Sequence, residues 1–453
     1  MQRSEIRGDP LHLRAGARSS QDDAIQTPRP LRSSAPSASL NLSTTLATGL
    51  CLLSLFSANL YADFDLPKPN ANKNPDSSFE TWLKHKLWPD AQARGISPQT
   101  FAAATRGLEP DWSLPDLIKP GQAEPDSKGQ TEFGNPSAYF KPGNINFLLS
   151  KVKSLEQRWD KTFSQIEQRY GVPRHIILAI WGRETAFGQA KLPHDAIRAL
   201  ATLGYAGARK EEFYPELLAA LQILQQGHIG RDGLKSSWAG ALGHPQFMPS
   251  KFLEFAVDFD GDGKRDIWNS VPDSLASIAN FLKQHGWNPQ RDWGQEALIP
   301  ASVGCHLEGP DQGQPGVAWR RLGIQTRLPE DQGAGQFFLL MPAGRYGPGF
   351  LVSENFYVLK DYNESDLYAL FIGHLADRMQ GGQPFEQLWQ DVQGLKRRDV
   401  RRMQERLIQL GHDVGGADGL VGFKTRRSIG RWQQSQGLKP SCWPDRELVK
   451  RLQ

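Results

Sequence analysis

The chain has 453 residues, 39% hydrophobic and 23% charged, with a formal net charge of +4. That length suffices for two or three domains with a sizeable core, and so small a charge makes no case for a nucleic-acid partner. The three cysteines, at 51, 305 and 442, have neither metal-ligand nor redox-motif spacing, which argues against zinc and thiol chemistry.

Taken in chain order, residues 1 to about 45 are rich in Ser, Pro and Arg and lack apolar periodicity, a composition of disorder. The apolar run from Leu46 to Ala58 has signal-peptide length, is too short to span a bilayer comfortably, and leads to small residues with Ala62 as the expected last residue before cleavage. Residues 1–62 are therefore expected to be a leader; the region ahead of the apolar run is unusually long, so either the true start lies downstream of Met1 or the leader is atypical. Cys51 follows Leu50, where lipid attachment calls for a small residue, so export to the periplasm without a lipid is expected. Cys305 and Cys442 then remain, and the sequence leaves their pairing open. A polar, Pro-rich linker covers 63–78. From Phe79 helical spacing dominates, as in Phe79-Trp82-Leu83-Leu87 and Leu148-Val152-Leu155-Trp159-Phe163-Ile166. About 296–362 changes character, with Phe337–Leu340 and Phe350–Val358 short and β-prone, which predicts a small β-rich insert. A helix over Ser365–Met379 returns the chain to the helical body, which extends to about 388. A Gly/Gln-rich break at Gln380–Pro384 then leads to a last module over 399–453.

Four segments carry candidate chemistry. In the first, Tyr170-Gly171-Val172-Pro173 opens a helix in which Ile177, Ile180 or Trp181, and Glu184 fall on one face. A carboxylate that continues an apolar stripe is pushed out of water, which raises its pKa toward what a general acid needs near neutral pH. An ordinary helix-end Glu satisfied by Arg183 or solvent has the same spacing. Gly182 and Gly188 would let substrate or another helix come close. The second segment, Ser236 to Ser250, is dense in small residues with polar groups between aromatics, the make-up of a groove or of a Gly-rich turn between helices. The thirteen tryptophans add surfaces on which sugar rings stack, although core packing accounts for most tryptophans.

Together, Tyr-Gly-Val-Pro leading to Glu184-Thr185-Ala186-Phe187-Gly188, followed by Gly240-Ala241-Leu242-Gly243-His244-Pro245-Gln246-Phe247-Met248-Pro249-Ser250, resemble the membrane-bound lytic transglycosylase B family of peptidoglycan lyases. The resemblance covers roughly Phe79 to Gly381. It implies a mainly α fold, a lysozyme-like helical catalytic core with the β-rich insert, and Glu184 as the single catalytic acid and base. It further implies that Ser237, Gln246, Tyr362 and Asn363 line the glycan groove. This sequence has Leu242 where the family often has Met, a harmless change, and His244-Pro245 before Gln246, a departure expected to alter local subsite contacts.

The third segment places Asp258, Asp260 and Asp262 at positions 1, 3 and 5 of an EF-hand-like loop, with Gly263 at position 6 and the Lys264 carbonyl at position 7. Position 12 is Asn269, so the usual closing Glu is missing, and Asp273 is the candidate to close a longer loop around a structural Ca²⁺. A solvated acidic turn is the alternative. No cofactor is expected to be required for the chemistry. In the fourth segment, Val400-Met403-Gln404-Leu407-Ile408 reads as an amphipathic helix, and Asp418-Gly419-Leu420-Val421-Gly422-Phe423-Lys424-Thr425 as a turn into a second helix. This pattern resembles the three-helix peptidoglycan-binding domain at the ends of wall hydrolases, which implies peptidoglycan strands as the partner.

What the resemblance implies is cleavage of the MurNAc–GlcNAc β-1,4 bond with formation of a 1,6-anhydro end. A glycosidase normally needs two carboxylates, and Asp195 is the nearest one downstream of Glu184. A lysozyme-type muramidase would share the groove and the acid. A non-catalytic wall-binding protein would share only the C-terminal module.

Overall fold

The computed structural model describes residues 77–118, 136–326, 335–390, 392 and 395–452. The expected leader, its apolar run and most of the linker lie outside the described residues. Among the described residues no helix is long and apolar enough to cross a membrane.

The chain enters through α1 (Ser77–Trp82), a π-helical turn (Leu83–Leu87), α2 (Trp88–Ala93) and α3 (Pro98–Thr105). Phe79, Leu83 and Leu87 bury their side chains here, as their spacing predicts, while Trp82 is partly buried and Phe101 joins the same core. The 29-residue α4 (Pro142–Tyr170) buries Ile145, Leu148, Val152, Phe163, Ile166 and Tyr170 along one face and kinks at Trp159, whose φ/ψ is −113°/19°. α5 (Arg174–Thr185) is buried almost all round, from Ile176 to Gly182 and again at Thr185. An apolar surface on every side places a helix at the centre of a domain, and α4, α9 and α12 enclose this one. A two-stranded ribbon, β1 (His194–Asp195) with β2 (Lys235–Ser236), brackets α6 (Ala196–Ala206) and α7 (Lys210–Gln226). α8 (Pro249–Phe255) and α9 (Val271–Gln284) complete this part of the body.

The insert is a five-stranded sheet of β3 (Gly294–Leu298), β4 (Gln314–Pro315), β5 (Gln325–Thr326), β6 (Gln336–Leu340) and β7 (Gly349–Val352), in the order β4-β6-β7-β3-β5, with every pairing antiparallel. The short α10 (Gly316–Arg321) lies between β4 and β5. One expectation fails here. The β-prone run ends at Val352, and Glu354–Tyr362 is a helix, α11. Ser353 caps it by accepting the Asn355 N–H, and Asn355 is drawn inward to donate to the carbonyls of Asn288 at 2.9 Å and Arg291 at 2.7 Å. These contacts override the β propensity of Phe356, Tyr357 and Val358. α12 (Asp366–Met379) follows, capped by Ser365.

After α12 the chain does not leave the body. The Glu296 carboxylate accepts the N–H groups of Glu386 and Gln387, each at 2.8 Å, and the Trp389 ring stacks on Phe140 with centroids 5.0 Å apart. The C-terminal module, α13 (Arg397–Gln409), α14 (Phe423–Ser435) and α15 (Arg446–Leu452), encloses its own core of Val400, Met403, Leu407, Ile429, Trp432 and Leu448. Buried Gln404 ties the module's turn by donating to the Leu420 carbonyl and accepting the Gly419 N–H. Cys305 of the insert and Cys442 of the module form a disulfide.

Candidate active site

α5 ends in a sharp reversal. Ala186, Phe187 and Gly188 all have positive φ, at 48°, 61° and 79°, a costly run for the two non-glycine residues and one that must be held by its surroundings. The hold is visible. Phe187 folds back against Gly182, where a Cβ would lie 2.8 Å from the ring, and His244 covers Gly188, where a Cβ would lie 2.6 Å from the imidazole. Both glycines thus admit neighbouring rings of the chain itself. The Thr185 hydroxyl donates to the His244 carbonyl at 3.1 Å and accepts the Gly188 N–H at 3.1 Å. The two sequence segments are thereby joined: the end of α5 is tied to the small-residue loop.

At that end, Glu184 keeps part of its surface exposed while protein packs closely around its carboxylate. Burial pushes its pKa up to about 7, against the opposing pull of the Tyr368 hydroxyl, Arg183 and Lys251. The Tyr368 hydroxyl donates to the Glu184 carboxylate at 2.5 Å. Arg183 turns its guanidinium over the rings of Tyr139 and Phe371, at 4.9 and 5.2 Å. Lys251, on α8, donates to the carbonyls of Asp361 and Tyr362 at 3.2 and 3.3 Å, and burial pulls its own pKa down. The charged groups acting on Glu184 among the described residues are thus both cations. Asp195 is engaged elsewhere: it caps α6 by accepting the Arg198 N–H at 2.9 Å and is paired with Arg231.

The groove candidates fall into two kinds. Gln246 sits at φ 54° and donates its amide to the Gly243 carbonyl at 2.9 Å, while Ser237 accepts the Ala241 N–H at 3.1 Å, so both shape the loop. Tyr362 is buried, donates its hydroxyl to the Pro245 carbonyl at 2.7 Å, and lies parallel to Tyr368 with centroids 6.4 Å apart. Asn363 is exposed at the end of α11 and accepts the Ser365 N–H at 3.2 Å. Burial holds the phenols of Tyr362 and Tyr368 well above the usual tyrosine range, so both stay protonated donors. Sequence reasoning missed Tyr368 and Lys251. The one available signal for Tyr368 was its place three residues after the Ser365 cap, in the first turn of a helix.

Asp258, Asp260 and Asp262 come together, each with a carboxylate oxygen within 4.8 Å of the others. Three hard oxygen donors suit Ca²⁺. Lys264 follows in the same turn, its N–H donating to Asp262 at 2.8 Å. Asp273 has a different place, buried beneath the loop, where its two oxygens accept the N–H groups of Phe259, Asp260 and Asp266.

A family model described as the transglycosylase SLT domain matches residues 78–377, two-thirds of the chain and the whole of this site. The chain belongs to the transglycosylase SLT domain family. A second model, a peptidoglycan binding domain, matches residues 396–452. Membrane-bound lytic murein transglycosylase B of Escherichia coli (strain K12) is 33% identical over 231 residues, which is 48% of this chain and 60% of that relative's length. Among solved structures, SltB3 from Pseudomonas aeruginosa in complex with NAG-anhNAM-pentapeptide is 36% identical with a TM-score of 0.71, covering 83% of this chain and 99% of that one. Soluble lytic transglycosylase SltB1 from the same organism is 27% identical with a TM-score of 0.53, covering 68% of this chain and 99% of that one.

Proposed function

We propose that this SLT-family chain is a peptidoglycan lytic transglycosylase, with Glu184 serving first as acid and then as base. The observation that carries the reading is a carboxyl hydrogen-bonded by Tyr368, pushed up to about 7 by burial and, among the described residues, acted on by the cations Arg183 and Lys251. Glu184 protonates the oxygen between N-acetylmuramic acid and N-acetylglucosamine as the C1–O bond breaks. The muramic acid's own acetamide oxygen supports the positive charge at C1, the part a second carboxylate plays in other glycosidases. Ionised Glu184, steadied by the Tyr368 hydroxyl, then takes the proton of the C6 hydroxyl as O6 bonds to C1. The products are a 1,6-anhydro end and a free 4-hydroxyl, with Glu184 protonated again and no water consumed. Gln246 and Asn363 supply hydrogen bonds to the sugar, while Ser237 and the buried Tyr362 hold the loop that lines the groove. Complexes of SltB3 with NAG-anhNAM-pentapeptide and with NAG-NAM-pentapeptide support this substrate class.

Digestion of sacculi in ¹⁸O-labelled water tests the chemistry. The expected muropeptides end in unlabelled anhydro-muramic acid. Label at a new reducing end would replace this reading with a lysozyme-type hydrolysis, and intact wall binding with no released muropeptides would leave only a binding protein.

The acidic loop is assigned a structural Ca²⁺, held by Asp258, Asp260, Asp262 and the Lys264 carbonyl, with Asp273 bracing the loop from below. Ca²⁺ would supply fold stability there. Millimolar Ca²⁺ should raise the melting temperature of the wild type and not that of an Asp258→Asn, Asp262→Asn variant; an equal rise in both would remove the assignment. The chain is further read as exported to the periplasm without a lipid anchor, on the strength of the Leu46–Ala58 run. A mature N-terminus near Asp63 and recovery in the periplasmic fraction test this.

A further inference from the structure

The C-terminal module carries a buried ionic cluster that the reaction above does not use. Arg426 of α14 is 1% exposed and Glu308 of the insert is 0% exposed. The Arg426 Nε and Nη2 donate to the Glu308 carboxylate at 3.0 and 2.6 Å, and Nη2 also donates to Asp366 at 2.8 Å. The other Asp366 oxygen accepts the Lys360 ammonium at 2.6 Å. Burial alone would raise the Asp366 carboxyl, but Lys360 and Arg426 outweigh it and hold it down at about 2. Two cations thus meet two anions, Arg426 and Glu308 out of water and Lys360 and Asp366 only partly so, an arrangement that contributes little net stability over apolar packing. Its geometry is more informative. Asp366 is the first residue of α12, and Tyr368 lies two residues on, with its N–H on the Ser365 cap and its hydroxyl on Glu184. The first turn of α12 therefore joins Arg426 to the catalytic acid.

We propose that Arg426, on the module that matches a wall-binding domain, is a positioning residue for Glu184: its grip on Asp366 fixes the first turn of α12 and so holds Tyr368 against the acid. The inference rests on the reading of Glu184 as acid and base. Arginine suits the task because its planar fork reaches two carboxylates at once, which a lysine ammonium does not do in the same geometry. The neighbouring Arg427 supplies an internal comparison. It grips Asp311 of the insert through two parallel contacts, at 2.8 and 3.0 Å, within the same interface but away from α12.

Full-length Arg426→Lys, Asp366→Asn, the double variant and Arg427→Gln are compared on a soluble glycan fragment bearing its stem peptide. For Arg426→Lys, kcat should fall about tenfold, since loss of alignment alone can cost that much, while KM stays unchanged. The groups facing Glu184 are Arg183 on its own helix, Tyr368 on α12, Tyr362 at the end of α11 and Lys251 on α8. Of these, Arg426→Lys loosens only Tyr368, which donates to the ionised carboxylate. The alkaline limb of the kcat profile should therefore move to higher pH. Asp366→Asn should reproduce both effects, the double variant should add nothing further, and Arg427→Gln should leave kcat and the limb in place. A raised KM with unchanged kcat and limb in Arg426→Lys, additive losses in the double variant, or an equal loss in Arg427→Gln would each overturn the proposal. Should Arg426→Lys lose its near-UV circular dichroism, Asp366→Asn decides alone, because it leaves the Arg426–Glu308 pair intact; wild-type kcat there overturns the proposal. Products carrying water oxygen would overturn the transglycosylase reading and leave this comparison standing. A Glu184→Gln variant as fast as the wild type would sink both.

Discussion

Glu184 and Tyr368 form the smallest unit whose chemistry can be tested. Glu184→Gln keeps size and hydrogen bonding but cannot give and take a proton, so release of muropeptides should fall by about a hundred- to ten-thousandfold, the range of general acid–base catalysis. Binding to insoluble wall should persist; substantial residual lysis would mean that another residue supplies the proton. In the proposed mechanism the acid starts protonated, and burial pushes its pKa up to about 7, so kcat should decline as pH rises through that value. Tyr368→Phe removes a donor that favours the ionised form. The pKa of Glu184 then rises, and the declining limb should move to higher pH even as kcat falls about ten- to a hundredfold from lost alignment. A limb that moves to lower pH would contradict the hydrogen-bond direction. Of this pair the sequence disclosed one member. Glu184 continues an apolar helix face within a long motif, whereas Tyr368 lies 184 positions away and becomes a partner only through packing of α12 on α5.

At the scale of elements, periodicity read the long helices well because one repeated pattern decides many positions at once, as along α4. It failed where few residues carry the outcome. Phe356-Tyr357-Val358 are β-prone by composition, but the preceding Ser353 caps a helix and the Asn355 side chain is fixed by two backbone carbonyls from a distant loop. Such contacts are tertiary and leave no local pattern. The same limit applies to the acidic loop, where Asp273 was the candidate closing ligand and instead accepts three loop N–H groups. Capping also bears on the site. Ser365 accepts the N–H of Tyr368 itself, so Ser365→Ala should cost about 1 kcal/mol of stability in urea unfolding, the usual loss for a removed N-cap. A change near zero would show that Asp366 and its partners hold the turn without the cap.

For the whole molecule, the junction between catalytic body and C-terminal module is the part least visible in the sequence. Nothing in the helix pattern of the module marks Arg426 and Arg427, yet both are buried against Glu308, Asp366 and Asp311, and the segment before the module is pinned by Glu296 and by the Trp389–Phe140 stack. The Cys305–Cys442 bond joins the same two parts across a separation of 137 residues. Closing so long a loop removes much freedom from the unfolded chain, so reduction should lower the stability by about 2–4 kcal/mol, seen as a lower urea midpoint in dithiothreitol. The native attachment has other supports. Three ionic contacts, the stacked ring and the Glu296 clamp do not depend on the sulfur bond. The reduced, folded protein should therefore keep the module docked, with cleavage of soluble fragments close to that of the oxidised protein. Loss of that cleavage on reduction, without global unfolding, would mean that the disulfide alone keeps the module in place, and that Arg426 reaches Asp366 only while the bond is closed.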